Sequence, residues 1–514
     1  MKIIIIGGGP GGYETAVAAA KKGLEVTLIS AGPLGGTCLN VGCIPTKCFC
    51  HDAKAYSLSR ENASGEEGVP ASGVSFLQME AASEALRKMV ERKNGVVAQL
   101  RAGVETLLKG VEVVRGIARV VDSRTVRVWP IEDEMASDPS LSAELSDYKE
   151  YTADSIIIAT GSHPSWLKVP GAATTPGVVG SSEILSLQKV PRRLTVIGGG
   201  VIGVEFAGIF AALGSKVTIL EYCKNILPNM DADMSKRLKQ ALMKKGITIL
   251  TGAEVTAISS AREIDEQICP SEEVDGTENP NSSAGGEQIQ IVSYKYGEKT
   301  ESVVSDKVLM AVGRTPDMRV ILGCKGIEST RRGIVTDENM QTSLPGVYAV
   351  GDVNGRTMLA HAAIAEGRIA LEHILNSLAE SDEVRHSGGS RIRLDIMPSA
   401  VFTSPELASV GLTEEQCKER GIAYKARKSF YRANGKALAE GETEGLCKIL
   451  IAEPGQEGLR DGQILGAHIL GADAANLVSE ITALMNFQAT ASDLSNIIHP
   501  HPTISEIIGN CVSE

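Results

Sequence analysis

The sequence predicts an α/β protein in which two copies of a β-α-β unit are followed by a separate C-terminal α+β domain. The first copy consists of Ile3–Ile6, a glycine-rich turn at 7–12 and an Ala-rich helix to about Lys22. The second copy repeats this order from Leu194, and in both copies 23 residues separate the first glycine from the end of the next strand. After residue 393, alternating strand and helix patterns indicate the α+β region.

The remaining elements follow from hydrophobic periodicity, taken in chain order. Between the two copies we expect a helix, then short strands, then a buried strand, at 76–109, 111–128 and 156–158. After the second copy we expect two strands, a helix and a Ser/Gly-rich linker, at 308–312, 347–350, 359–380 and 381–390. Within the C-terminal region we expect strands at 398–403, 445–452 and 463–469, and helices at 413–420 and 473–488.

Length and composition limit the class of protein. A chain of 514 residues is too long for one core, so three or four domains are expected. The chain lacks an apolar run of the roughly 18 to 20 residues that span a bilayer. The apolar block Ile3–Ile6 is strand-sized and runs into glycines, which indicates structure rather than a signal sequence. Ten cysteines without zinc-type spacing predict mostly free thiols, no metal site and a cytoplasmic location.

The net charge of −12 is concentrated in two segments. Residues 130–150 carry a balance of −6, and residues 262–290 carry −7. Both segments are rich in Ser, Pro, Asn and Gly, so we interpret them as solvated loops that favour solubility. Since no basic patch with interleaved aromatic residues occurs, neither nucleic acid nor a membrane is an expected partner.

The glycines of the two turns predict two Rossmann-like dinucleotide sites. Gly7 permits the tight turn, Gly9 lets the backbone approach a pyrophosphate, and Gly12 lets the helix pack on the strand. The pyrophosphate then lies at the helix N-terminus, where free N–H groups favour anions. The corresponding glycines of the second copy are Gly198, Gly200 and Gly203.

The strand after each turn ends in the residue expected beside an adenosine ribose. In the second copy this residue is Glu221, whose carboxylate would accept hydrogen bonds from a free 2′-hydroxyl and repel a 2′-phosphate. NAD is therefore favoured over NADP. In the first copy the residue is Ser30, which can bond a ribose hydroxyl only without the help of a charge. We expect weaker retention of the first nucleotide.

Two thiols, Cys38 and Cys43, follow the first unit at a separation of five residues. Such a pair in a reducing compartment suggests redox chemistry, although two close cysteines are often only small buried residues. Lys47 could lower a thiol pKa or stabilise a reduced cofactor, or it could be a solvated lysine. We interpret Cys48 and Cys50 as thiols that pack in a helix.

A base for thiol chemistry is available near the C-terminus. His499 and His501 alternate with prolines, which restrict the backbone and suit a positioned group. Glu506 lies five residues after His501 and could orient its imidazole. Cys511 has no neighbouring thiol in sequence, so a role as a redox relay is not expected.

The stretch GGTCLNVGCIPTK (35–47) resembles the redox-active site of the pyridine nucleotide–disulfide oxidoreductases. Similar motifs cover nearly the whole chain: GGGPGGYETA (7–16), ATGS (159–162), GGGVIGVEFAGIFAALG (198–214), AVGRTP (311–316), GDV (351–353), FTSPELASVGLTEEQ (402–416) and HPHPTISE (499–506). Leu39, Ile44, the stretch at 358–363 and the paired His-Pro make the chain most similar to the branch that oxidises dihydrolipoyl groups.

The resemblance implies a homodimeric flavoprotein that uses FAD and NAD. Its domains would be an FAD-binding domain at 1–163, an NAD-binding domain at 164–305, a central domain at 306–380 that completes the FAD site, and a dimerisation domain at 391–514.

The resemblance also implies residue roles at the reacting centre. Cys43 would be the thiolate against the flavin, and Cys38 would exchange with the substrate disulfide. His501, oriented by Glu506, would be the acid/base and would come from the other subunit. Lys47 would lie beside the flavin.

The same resemblance assigns further residues to the cofactors. Glu205 would pair with the flavin lysine, and Asp352 would bond an FAD hydroxyl. The backbone of Met358, Leu359, Ala360 and His361 would approach the flavin ring. The rest of the predicted cofactor-binding set is Gly116, Thr160, Gly161, Ser162, Val255, Gly313 and Gly351.

The implied activity is the reoxidation of dihydrolipoyl groups with NAD⁺, through a Cys38–Cys43 disulfide and FAD, to give NADH. The lipoyl group would arrive on a protein of a 2-oxo acid dehydrogenase complex or of the glycine cleavage system. Two alternatives stay open. One is another flavin disulfide reductase that consumes NADH, and the other is a non-catalytic flavoprotein scaffold.

Overall fold

The computed structural model describes residues 1–64, 76–131, 147–262, 288–377 and 392–513. The acidic segments at 130–150 and 262–290 lie largely outside these residues, and the linker at 381–390 and Cys269 lie wholly outside them. Over the described ranges, no helix combines the length and the apolar character needed to cross a bilayer.

The α-helices are distributed along the whole described chain. In chain order they are α1 (Pro10–Lys21), α2 (Gly36–Val41), α3 (Cys43–Ser64), α4 (Phe76–Leu107), α5 (Val201–Ala212), α6 (Ala232–Lys244), α7 (Ala360–Ser377), α8 (Glu414–Glu419), α9 (Gly435–Glu440), α10 (Ala474–Asn486), α11 (Ala491–Ser495) and α12 (Glu506–Val512).

The strands are short and mostly buried. In chain order they are β1 (Lys2–Ile6), β2 (Glu25–Ser30), β3 (Glu112–Val120), β4 (Thr125–Pro130), β5 (Lys149–Thr152), β6 (Ser155–Ile158), β7 (Ser162–Pro164), β8 (Val178–Val179), β9 (Arg193–Ile197), β10 (Lys216–Glu221), β11 (Thr248–Thr251), β12 (Ala253–Arg262), β13 (Gln288–Tyr296), β14 (Lys299–Ser305), β15 (Lys307–Met310), β16 (Arg314–Pro316), β17 (Ser329–Thr330), β18 (Gly333–Ile334), β19 (Val347–Ala349), β20 (Ser399–Val401), β21 (Glu406–Gly411), β22 (Tyr424–Phe430), β23 (Leu446–Ala452) and β24 (Ile464–Gly471).

The chain divides into two compact units, each assembled from three stretches of sequence. The first comprises Met1–Thr46, Glu91–Pro164 and Arg314–Met397. The second comprises Lys47–Val90, Ser165–Gly313 and the chain from Pro398 onward.

The first unit is built on a seven-stranded sheet with the order β19-β6-β1-β2-β3-β4-β5. Strand β1 pairs in parallel with β2 and β6, and β6 pairs in parallel with β19. Successive residues of β1 enter different apolar clusters, because Ile3 and Ile5 point to one face and Ile4 and Ile6 to the other. Because these strands run in parallel, the turns that follow β1, β6 and β19 lie at the same end of the sheet. Both faces of the sheet around β1 are buried.

The second unit contains a five-stranded parallel sheet with the order β11-β10-β9-β15-β8. The antiparallel strands β12-β13-β14 form a separate sheet, and the C-terminal sheet has the order β20-β21-β24-β23-β22. Helix α5 follows β9, as α1 follows β1. The predicted α/β class, with two Rossmann-like units and a C-terminal α+β region, is confirmed.

Two C-terminal strands differ from the sequence prediction, which placed strands only at 398–403, 445–452 and 463–469. Strands β21 and β22 complete the sheet. Strand β22 lies at the edge of the sheet and has no fully buried residue, so its sequence carries little apolar periodicity.

Candidate functional site

The two predicted redox thiols form a disulfide. Cys38 and Cys43 are bonded to each other, with their Cα atoms 4.6 Å apart. Cys38 lies in α2, Cys43 is the first residue of α3, and Gly42 links the two helices. A Cβ at Gly42 would lie 2.9 Å from the carbonyl oxygen of Thr37, so this close return of the chain favours glycine. Cys43 is exposed and Cys38 is half-buried, which leaves the disulfide open to reaction partners.

A partly buried ion pair lies one helical turn further along α3. The Lys47 ammonium contacts both carboxylate oxygens of Glu205, at 2.9 and 2.8 Å. Glu205 is 3% exposed and also accepts a hydrogen bond from the N–H of Phe402 at 2.9 Å. The Lys47 ammonium lies 4.4 Å from the centroid of the Phe402 ring, within range of a cation–π contact. These contacts fix the position of the Lys47 ammonium group.

The neighbouring thiols lie in apolar surroundings. Cys48 is buried, and Cys50 packs against the apolar core of the second unit. Burial, followed by the charge of Glu205, raises the pKa of Cys50 to about 12. Since the thiolate is the reactive form, Cys50 is a poor nucleophile at neutral pH.

The first glycine turn has the shape of a phosphate cradle. A Cβ on Gly12 would overlap the carbonyl oxygen of Gly7, so helix and turn are in direct contact. At Gly9 the nearest atom to an added Cβ would be the Cα of Gly36, 3.9 Å away. Helix α1 begins at Pro10, and among the described residues no side chain caps its N-terminus. The tight packing at the first and third glycines, with open space at the second, fits a pyrophosphate group.

The second turn repeats this geometry. A Cβ on Gly203 would overlap the carbonyl oxygen of Gly198, whereas a Cβ on Gly200 would have no atom within 4 Å. In the described part of the chain, no side chain caps the N-terminus of α5. The two cradles therefore share their form, and both fit a dinucleotide.

The residues that end the two second strands differ in their hydrogen bonds. The Glu221 carboxylate accepts bonds from the N–H of Gly199 and, at 2.6 Å, from the N–H of Cys223. Ser30 is buried, and its hydroxyl donates to the carbonyl oxygen of Gly32 at 2.8 Å. Ser30 lies against Gly8, where an added Cβ would be 2.5 Å from its Oγ. Ser30 thus stands where Glu221 stands in the other copy, without the charge.

A polar network joins three predicted or neighbouring site residues of the first unit. The Ser162 hydroxyl donates to Asp352 at 2.5 Å and accepts from Arg314 Nε at 2.7 Å. Burial lowers the pKa of Arg314. Sequence reasoning missed Arg314, although the motif that contains it, AVGRTP, was visible. The network fixes the orientation of the Asp352 carboxylate.

A second residue missed by sequence reasoning supports the same loop. Glu366 is 1% exposed and accepts hydrogen bonds from the N–H of Gly351 at 2.7 Å and from Asn354 Nδ2 at 2.8 Å. Burial raises the pKa of Glu366. The available signal was an acid on the apolar face of a predicted helix, which needs a partner when buried.

The other predicted cofactor residues have varied surroundings. Thr160 donates through Oγ1 to the carbonyl oxygen of Asp317 at 2.7 Å. Gly161 and Gly313 have φ angles of +74° and +106°, and a Cβ at either would meet no atom within 4 Å. The stretch from Met358 to His361 precedes and begins α7, with both of these end residues exposed.

Two residues of the predicted cofactor-binding set, Gly116 and Val255, are closely packed against other parts of the protein. Gly116 lies in β3, where a Cβ would be 2.6 Å from the carbonyl oxygen of Trp129. Val255 is 8% exposed and belongs to an apolar cluster of the second unit. A cofactor contact of Val255 would therefore have to come from its backbone.

The two C-terminal histidines have different environments. His501 is 79% exposed, and its Nδ1 lies 2.9 Å from a Glu506 carboxylate oxygen. His499 is 9% exposed and pairs with Glu480 at 3.0 Å. The N–H of Thr503 and the bond to His501 lower the pKa of Glu506, so its carboxylate is ionised at neutral pH. Because Glu506 holds Nδ1, proton exchange at His501 falls to Nε2.

Cys511 has a thiol neighbour that the sequence did not indicate. Its Sγ lies 3.2 Å from the carbonyl oxygen of Arg427 and 3.5 Å from that of Cys447. Both thiols are buried, and the hydrogen bond with Cys511 together with burial raises the pKa of Cys447. The contact between these two buried residues indicates packing between α12 and β23.

Comparison with known proteins gives a consistent result over nearly the full length. A family model described as pyridine nucleotide-disulphide oxidoreductase matches residues 1–367, and the dimerisation domain of the same description matches residues 397–511. The dihydrolipoyl dehydrogenase of Mycoplasma pneumoniae is 35% identical over 99% of this chain and 97% of that protein. That of Bacillus subtilis is 36% identical over 98% of this chain and 94% of that protein.

Solved structures share the same architecture. The HOCl-induced flavoprotein disulfide reductase RclA from Escherichia coli has a TM-score of 0.75 at 28% identity, over 100% of this chain and 99% of that chain. LpdA from Mycobacterium tuberculosis has a TM-score of 0.79 at 24% identity, over 100% of this chain and 99% of that chain. At that identity the second likeness concerns the fold alone.

Proposed function

This chain belongs to the pyridine nucleotide-disulphide oxidoreductase family, and we propose that it acts as a dihydrolipoyl dehydrogenase that passes electrons to NAD⁺. Members of the family are oxidoreductases that use FAD and a pyridine nucleotide. The observation that carries the proposal is the accessible Cys38–Cys43 disulfide at the start of α3. A dithiol substrate can exchange with such a disulfide without any change of fold.

Two successive thiol–disulfide exchanges carry the electrons from the substrate to the protein. One thiolate of the dihydrolipoyl group attacks Cys38, the Cys38–Cys43 bond breaks, and Cys43 leaves as a thiolate. The second substrate thiol then displaces Cys38, which gives the lipoyl disulfide and two protein thiols. Reoxidation of the two thiols by NAD⁺ gives NADH and a proton.

Proton transfer is assigned to His501. Thiol–disulfide exchange requires the substrate to lose a proton, and an imidazole titrates near neutral pH. Glu506 orients the ring through Nδ1 and would stabilise the imidazolium that forms. The dimerisation domain supports a homodimer, in which His501 would be contributed by the partner subunit.

The first unit supplies the residues that would hold FAD. Gly7, Gly9 and Gly12 would form the pyrophosphate cradle, and Asp352 would bond a hydroxyl of the cofactor. The chemistry that bound FAD supplies is two-electron transfer between a thiol pair and a pyridine nucleotide.

The second unit supplies the residues that would hold NAD. Gly198, Gly200 and Gly203 would form the second cradle, and Glu221 would bond the adenosine ribose. The lipoyl group would be presented by a protein of a 2-oxo acid dehydrogenase complex or of the glycine cleavage system, in the cytoplasm. Binding of the purified chain to an isolated lipoyl-bearing protein would test this partner.

Purified protein supplied with dihydrolipoamide and NAD⁺ tests the reaction. We expect NADH formation, and we expect little NADH consumption with glutathione disulfide or other small disulfides. Cys43→Ser should lower turnover by several orders of magnitude, because the disulfide can no longer form. Absence of turnover with dihydrolipoamide, together with rapid NADH-dependent reduction of another disulfide, would favour a disulfide reductase instead. Unchanged function in Cys43→Ser would favour a non-catalytic scaffold.

A further inference from the structure

A cluster of charges around a fully buried lysine–aspartate pair lies in the second unit, and the proposed reaction does not use it. Lys448 and Asp231 are both 0% exposed. The Lys448 ammonium contacts Asp231 Oδ1 at 2.5 Å and Glu414 Oε1 at 2.8 Å. Burial alone would lower the pKa of Lys448, but the bonds to the two acids outweigh it and raise the pKa. The cluster therefore exists as charged, mutually dependent partners.

The cluster joins the C-terminal sheet to the nucleotide-binding part of the same unit. Lys448 lies in β23, and Asp231 is the N-cap of α6, where its side chain accepts from the N–H of Met234. The other carboxylate oxygen of Asp231 has no hydrogen-bond partner among the described residues. The position of the α6 N-terminus thus depends on Lys448.

From α6, hydrogen bonds continue to the second glycine turn. The Ser235 hydroxyl, in the first turn of α6, donates to the carbonyl oxygen of Leu227 at 3.2 Å. The N–H of Leu227 donates to the carbonyl oxygen of Gly199 at 2.9 Å. The N–H of Gly199 in turn donates to the Glu221 carboxylate. The segment between Glu221 and Asp231 is therefore fixed to the turn at one end and to the buried cluster at the other.

We propose that Lys448 is a positioning residue for the pyridine nucleotide, acting through Asp231 and Leu227 on the turn at Gly199. The inference rests on the proposed use of NAD by the second cradle. Lys448 touches neither the cradle nor Glu221. Its effect would be to hold the backbone of the turn in the conformation that receives the pyrophosphate and the ribose.

An exposed ion pair provides a matched control. Lys244 lies at the C-terminal end of α6 and pairs at 3.2 Å with Glu444. Glu444 lies just before β23 in the sequence. This pair connects the same helix to the same part of the C-terminal region, but its side chains are 69% and 55% exposed. Exposed pairs of this kind contribute little to positioning.

The test is NADH binding to the FAD-loaded protein, measured by calorimetry after full reduction with dithionite so that no hydride is transferred. Lys448→Met should raise the dissociation constant for NADH by about tenfold or more. FAD content and the rate of disulfide reduction by dihydrolipoamide should stay within about twofold of the wild type. Lys244→Met should change none of these quantities. Loss of FAD in parallel with NADH affinity in Lys448→Met would mean general structural damage and would overturn the inference.

Ser235→Ala keeps the test decisive if Lys448→Met fails to fold. It removes only the bond to Leu227 and should weaken NADH binding several-fold, without affecting FAD content. Unchanged NADH affinity in Ser235→Ala would overturn the inference. If the wild-type protein itself bound no NADH, the proposed function would fail instead, so the two failures are distinguishable.

Discussion

Glu221 and Ser30 occupy the same position in two copies of one unit and differ in charge. The Glu221 carboxylate accepts two backbone N–H bonds, and Ser30 donates one bond to a carbonyl oxygen. A hydrogen bond to a charged group contributes about 1.5–3 kcal/mol, against about 1 kcal/mol for a neutral one. The two nucleotide sites should therefore differ in how strongly they hold a ribose.

Replacement of Glu221 by Ser makes the second copy resemble the first. We expect the ratio of kcat/KM for NAD⁺ to that for NADP⁺ to fall by roughly 10- to 100-fold, because a charged ribose contact and the repulsion of a 2′-phosphate are both lost. Steady-state kinetics with both nucleotides measure this ratio. Ser30→Ala is the control and should leave the ratio unchanged. Comparable use of NADP⁺ by the wild type would contradict the assignment of Glu221.

The reverse replacement, Ser30→Glu, should tighten FAD retention. A carboxylate at this position could accept a ribose hydroxyl and the N–H of Gly8, as Glu221 accepts the N–H of Gly199. FAD released on dilution is measured by the recovery of flavin fluorescence. An unchanged release rate would show that the charge at this position does not limit retention.

His501 and His499 form a second matched pair of residues. His501→Ala should lower kcat by roughly 10²–10⁴-fold, the usual effect of losing a general acid/base. His499→Ala should lower kcat far less, but it removes the bond to Glu480 and should cost about 1 kcal/mol of the free energy of unfolding. Turnover and urea unfolding of both variants distinguish the roles. Equal losses of activity would contradict the assignment to His501.

At the scale of elements, the contact between each helix and its glycine turn carries the cofactor geometry. Gly203→Ala should destabilise the protein by about 1–3 kcal/mol, because the new methyl group would overlap the carbonyl oxygen of Gly198. NADH affinity should fall at least tenfold, since α5 must move away from the turn. Gly208→Ala lies in the same helix, where an added Cβ meets no atom within 4 Å, and should be neutral or slightly stabilising.

The elements were predictable where a strong local pattern sets them. The glycine turns fixed the expected position of α1 and α5, and alternating or continuous apolar runs located β1, β6, β9 and β15. The edge strand β22 was missed because its side chains are only partly buried. Local patterns are read from neighbouring residues, so they fail where exposure removes the apolar signal.

The candidate site was predictable to a similar extent. The thiol pair and the two cradles lie in contiguous motifs. By contrast, the contact between Arg314 and Ser162 joins residues 152 positions apart, and that between Lys448 and Asp231 joins residues 217 positions apart. A pattern of neighbouring residues cannot indicate a contact between residues so far apart in the sequence. Nor could the sequence tell that the His499 side chain is largely covered while that of His501 is exposed.

At the scale of the whole molecule, the acidic segment at 263–287 is expected to be dispensable for turnover. Arg262 and Gln288 are paired across β12 and β13, so an Asn-Gly turn could join them directly. This replacement removes eight acids and changes the net charge from −12 to −4. We expect kcat and FAD content within about twofold of the wild type. A Gly/Ser segment of the original length is the control for connectivity, and a tenfold loss of kcat would contradict the prediction.

The two cradles have the same geometry, and this has an evolutionary consequence. In each copy the first and third glycines cannot accept a Cβ without overlap with the backbone, so a substitution at these positions is strongly disfavoured. The residue that ends the second strand differs between the copies, and is Ser30 in one and Glu221 in the other. The preference for a cofactor can therefore change through this one position, while the glycines that bind phosphate stay the same.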